Sequence, residues 1–103
     1  MTPTPGSEPF QVSMSSVTAE VLRDLSDAAA ADGQKESFIA ALRFIDDRLR
    51  NDPVSFGEEL FNLRHHPGTV KLAVRLPIAV EFGVYPQQRI VAIRSFRYVA
   101  PAS

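Results

Sequence analysis

Cysteine and tryptophan are both absent from this chain of 103 residues, and glycine occurs only five times. Without thiols there can be no disulfide framework and no thiolate metal site, which points to a reducing compartment. No apolar run approaches the ~20 residues that span a bilayer. Met1 to Gly6 carries Thr and Pro where a secretory leader would need a basic flank and an apolar block. Internal repeats, a glycine-rich phosphate loop and a Gly-X-Ser-X-Gly nucleophile elbow are also missing. The expectation is a cytoplasmic protein with no membrane contact, no metal and no cofactor.

What is present reads as an ordinary globular chain, with 45% hydrophobic and 22% charged residues. The length suits one domain over residues 10–103, preceded by a flexible Pro-rich leader over residues 1–9. Net charge is -1, but its distribution is uneven. Five basic and eight acidic residues precede Asn51, whereas six basic residues (Arg64, Lys71, Arg75, Arg89, Arg94, Arg97) follow Leu63 against the single acid Glu81. A basic second half can mark a surface for nucleic acid, and it can equally be a solvated sheet face with counter-charges from the helices.

Phe10 and Val12 alternate with Gln11 and Ser13, which permits a short first strand. Helical spacing then takes over through Val21, Leu22, Leu25, Ala28 and Ala29, with Thr18 as the expected N-cap and Asp32-Gly33 as the stop. A second helix is expected over Glu36–Arg50, where Phe38, Leu42, Ile45 and Leu49 form one stripe before Pro53 ends it. The short link makes the two helices an antiparallel hairpin. Residues 54–68 read as a connection, with a turn of helix over Gly57–Leu63 as its one regular candidate.

From Thr69 the period becomes two. Val70, Leu72, Val74 and Leu76 are expected to face the helices, with Lys71, Ala73 and Arg75 on the water side. After a corner at Pro77, Ile78, Val80, Phe82 and Val84 form the buried set of the next strand. Tyr85-Pro86-Gln87-Gln88 makes a reverse turn into a last strand over about Arg89–Val99. Val91 and Ile93 should face the helices there, leaving Ala92, Arg94, Phe96 and Tyr98 outside. Arg94 and Arg97 differ in parity, so only a bulge would bring Arg97 round to the same side. The expected architecture is α+β, a helical hairpin on an antiparallel sheet in the order β-α-α-β-β-β.

The water-facing side of that sheet is the first place to seek chemistry. Lys71, Arg75 and Arg94 could grip phosphate, and Tyr98 could stack on an unpaired base. RNA cleavage would need a base, an acid and a fixed cation. Glu81 is the candidate base, Arg75 or Arg94 the clamp, and Tyr98 or Lys71 the acid. The plainer reading is that Glu81 only pairs across the sheet with Lys71, Arg75 or Arg94. His65-His66 lacks companions for a metal set and reads as an exposed loop pair. Glu58-Glu59 and Asp46-Asp47 read as solvated faces.

The order of parts, with Leu49 to Pro53 closing the second helix and the stretches Lys71 to Arg75, Pro77 to Val84 and Arg89 to Arg94, resembles the RelE/ParE toxins of bacterial toxin–antitoxin systems over roughly residues 10–99. That resemblance implies an antitoxin partner and either ribosome-dependent cleavage of messenger RNA by basic and aromatic residues of the sheet, or poisoning of DNA gyrase. It matches Lys71 and Arg75 to the family's basic second strand and Arg94 and Tyr98, loosely, to its last strand. Three features depart from the pattern: a pI near 6.1, Ser95-Phe96-Arg97 where a histidine-arginine is familiar, and no arginine near Ile78. These departures motivate the alternative of a non-catalytic protein-binding module on the same fold.

Overall fold

A computed structural model describes residues 8–65 and 67–100. The leader expected over residues 1–9 lies outside them except for Glu8 and Pro9, and His66 lies outside as well. Strand β1 (Gln11–Met14) is followed by helices α1 (Ser16–Ala31) and α2 (Lys35–Asn51), then by β2 (Glu58–Asn62), β3 (Thr69–Arg75), β4 (Ile78–Tyr85) and β5 (Ile90–Tyr98). The five strands form one sheet in the order β1-β5-β4-β3-β2. Among the described residues the β1–β5 pair is parallel and the other three pairs are antiparallel.

Helix α1 starts earlier than its sequence pattern suggests. Ser15, in extended geometry, is the N-cap, and its hydroxyl accepts from the Thr18 amide at 3.1 Å. Thr18 sits one turn inside the helix and is itself buried. The helix closes at Asp32, and Gly33 follows with φ 72°, a left-handed geometry that costs glycine little. Helix α2 buries Phe38, Ala41, Ile45 and Leu49, and Leu42 is partly buried beside them. Those four residues meet Ile78, Val80, Phe82 and Val84 of β4 and Val91 and Ile93 of β5. Phe56 stacks on Phe82 at 6.0 Å between ring centroids and carries the core toward β2.

Two expectations are corrected here. Residues 58–62 form a strand antiparallel to β3, and no helical turn lies between Gly57 and Leu63. All five of its residues are exposed, so burial left no alternating signature, and a bulge at Leu60 breaks the period further. Gly57 makes the approach possible. Its φ is 79°, and a Cβ there would stand 2.6 Å from the Leu72 carbonyl oxygen.

The second correction inverts β3. Lys71 and Ala73 are buried on the helical side, whereas Leu72 and Val74 lie on the open face. The reason is the hairpin. Arg75 and Ile78 are Cα partners across the two-residue turn Leu76-Pro77, so they share a face. Ile78 is fully buried with the larger apolar set of β4, and this turns Arg75, Ala73 and Lys71 inward with it. Lys71 is only 3% exposed. Its ammonium donates to the carbonyls of Pro53, at 3.3 Å, and Val54, clasping the α2–β2 connection to the sheet.

No helix among the described residues is long and apolar enough to cross a membrane.

Candidate functional site on the open face of the sheet

The inversion of β3 takes two of the five expected site residues, Lys71 and Arg75, off the open face. Arg75 leans onto α2, its guanidinium carbon 4.1 Å from the centre of the Phe44 ring. With Lys71 clamped beneath the connection, neither basic residue of β3 reaches the open face.

β5 contributes the cations instead. Glu81 is opposite Ser95 while its neighbour Phe82 is opposite Ile93, which leaves Arg94 as the extra residue of a bulge. Arg94 and Ser95 are therefore both exposed, and the parity of the strand changes beyond them. Arg97, opposite Ala79, comes round to the open face. Phe96 and Tyr98, expected outside, turn to the helical side. Phe96 is buried in the core. Tyr98 packs edge-on against Phe38 at 6.4 Å, and its hydroxyl donates to Asp32 Oδ2 at 2.8 Å.

Desolvation of the phenol, the hydrogen bond to Asp32 and the charge of Asp32 all raise the Tyr98 pKa above 10.0. Folding thus favours the neutral phenol, a contribution present below the unfolded pKa and lost as pH rises through the folded one. Tyr98→Phe should flatten the alkaline limb of a stability–pH curve, and spectrophotometric titration of the wild type should show one phenol ionising late. An unchanged alkaline limb in the variant would refute the tether.

Of the five expected residues, only Glu81 and Arg94 meet. Arg94 Nε lies 3.3 Å from Glu81 Oε2, with the two side chains 46% and 31% exposed. This is the cross-strand ion pair of the plainer reading. The Arg94 guanidinium also lies 5.8 Å from the centre of the Phe61 ring, so its side chain extends over the face toward β2. Glu58 joins the same face opposite Leu72, which is itself opposite Glu81. The strands thus place Arg94, Arg97, Glu58 and Glu81 here, and the face is balanced in charge. Val74 and Phe61 add exposed apolar surface, at 57% and 50%. The Tyr85 ring rests against Gly68 and Gly83, where any larger residue would collide with it or crowd it.

Arg97 and Phe61 were not among the expected site residues. Sequence parity put Arg97 on the side opposite to Arg94 unless a bulge intervened, and the bulge at Arg94 does so. Phe61 had no signal, because its strand was read as a connection.

A second concavity, of about 350 Å³, opens between α1 and α2 above β1 and β5. Leu22, Leu42, Leu49, Ile93 and Phe96 line it, and Arg43 stands at its polar margin. No group of three or more potential metal ligands occurs among the described residues.

No protein-family model matches the chain, and no curated protein matches it. Among solved structures, it is similar to a chain of the toxin–antitoxin complex RelBE2 from Mycobacterium tuberculosis. The two chains are 16% identical, the superposition covers 91% of this chain and 95% of that one, and the TM-score is 0.63. A helical hairpin laid on a five-stranded sheet, matched over nearly its whole length, gives this chain the fold of that RelBE2 chain.

Proposed function

We propose that this protein is the toxin-type member of a toxin–antitoxin pair, held by a cognate antitoxin and directed at a protein target. The near-complete match of its fold to a chain of a toxin–antitoxin complex carries the first part of the reading. The apolar concavity between α1 and α2 supports an antitoxin partner, since it would accept large aliphatic side chains from a peptide segment. The open face supports a protein as the target class. A charge-balanced surface with exposed Val74 and Phe61 suits a protein better than a phosphate backbone, which calls for a cationic excess. DNA gyrase belongs to that target class.

Messenger RNA on the ribosome is the second reading, and one observation favours it. Arg94 above Phe61 is a cation-and-ring pair of the kind that holds a nucleotide. Glu81 would then be the base and Arg94 the clamp, with Lys71, Arg75 and Tyr98 excluded from direct contact by their placement on the helical side.

Induction in a bacterial host is expected to arrest growth, and co-expression of the adjacent gene's product should relieve the arrest through a stable complex. Val74→Glu should restore growth without unfolding the protein, while messenger RNA stays intact. Messenger RNA cleavage abolished by Arg94→Ala would transfer the assignment to the second reading. A wild type that neither arrests growth nor forms such a complex would end both.

A further inference from the structure

Around Arg94 the Glu81 carboxylate sits where it bears on which ligands can approach the open face. We infer that Glu81 is a selectivity residue that keeps polyanions off the open face by occupying Arg94. The inference stands on the side-chain geometry alone and does not depend on the toxin assignment.

Arg94 projects from the β5 bulge, where it has no place in the regular ladder and its side chain is free to lie across the sheet. Its guanidinium is caught between Phe61 and the Glu81 carboxylate, at 5.8 and 3.3 Å. The ring leaves the cation available, because an aromatic face attracts positive charge without cancelling it. The carboxylate does cancel it. A phosphate arriving at Arg94 would have to sit beside Glu81 and compete for the same donors. Arg97, one row further along the face, is exposed, and among the described residues it is the cation of this face that carries no ion pair. Glu58, across Leu72 from Glu81, adds a second repelling charge in the same row.

The stability carried by such a pair is small. Both side chains are substantially exposed, and ion pairs of this kind contribute little to folding. A residue that adds little to the fold can still control which ligands approach, because repulsion acts on every incoming anion. Glu81 lies on the central part of the sheet, opposite both Leu72 and Ser95, so its charge reaches most of the face within a Debye length.

The test uses the full chain and a fluorescein-labelled single-stranded RNA oligonucleotide as a polyanionic probe, with binding followed by anisotropy at low salt. Glu81→Gln keeps the side chain's shape while removing its charge. It is expected to bind the probe roughly tenfold more tightly than the wild type, in keeping with one unit charge removed a few ångströms from the contact. The salt dependence should steepen by about 0.7 in log–log slope, the increment for one further phosphate contact on a single strand. Glu36→Gln, which changes net charge equally on an exposed part of α2, should leave binding near the wild-type level. Arg94→Ala in the Glu81→Gln background should erase the gain. A Glu81→Gln protein that binds no better than Glu36→Gln would overturn the inference, and so would a gain that survives loss of Arg94.

Discussion

Lys71→Met is expected to lower the unfolding free energy by about 1–3 kcal/mol, the cost of leaving a buried acceptor, the Pro53 carbonyl, without its donor. Methionine retains most of the aliphatic stem and removes the ammonium that holds the oxygens of Pro53 and Val54. At a shift of roughly 4–8 °C per kcal/mol for a domain near this size, the melting temperature should fall visibly. Urea unfolding would give the same loss as a lower midpoint at constant slope. Lys71→Ala should be worse, since it also empties the space that the stem fills. The result bears directly on function. Under the proposed toxin reading, any loss of growth arrest in a Lys71 variant would reflect a loosened connection between α2 and β2, because this ammonium faces the core side of the sheet. A Lys71→Met protein as stable as the wild type would show that the clasp carries nothing.

Phe82→Ala is expected to cost about 3–5 kcal/mol, the range for deleting a large buried aromatic side chain. Phe82 is fully buried on the central strand of the sheet, stacked on Phe56, with Lys71 opposite it on β3 and Ile93 on β5. Its loss would open a void between the sheet and the segment that leads to β2, where neighbouring backbone is already pinned by Gly57 and Lys71. Against a total of about 5–15 kcal/mol for a small domain, a loss of this size should raise the unfolded population at growth temperature by roughly two orders of magnitude or more. Chemical denaturation would measure this, and a loss below about 1 kcal/mol would place the centre of the core elsewhere.

The helices and the central strand β4 were legible because their apolar residues recur at a period that matches one buried face. Phe38, Ile45 and Leu49 on α2, and Ile78, Val80, Phe82 and Val84 on β4, behave as their spacing indicates. Strand β3 misled for a definite reason. Leu72, Val74 and Leu76 are the bulkier residues, yet the two-residue turn ties β3 to the parity of β4, and β4 has more to bury. The turn length was visible in the sequence, and carrying parity across it would have sent Lys71 and Arg75 inward. Strand β2 offered no such handle, being an exposed edge with adjacent glutamates and a bulge. The candidate site was therefore half legible. Glu81 and Arg94 lie where alternation placed them, whereas Phe61 depended on an invisible strand and Arg97 on the bulge.

The parallel pairing of β1 with β5 joins Gln11 to Ile90 and Met14 to Ile93. During synthesis the helical hairpin leaves the ribosome long before the strand that seats its leading segment has been made. Until Ile90–Ile93 have been translated, β1 has no ladder to enter, and the apolar stripe of α2 has no completed sheet beneath it. The nascent chain thus closes its sheet only as Ile90–Ile93 emerge, so the first strand to be translated among those described is the last to be seated.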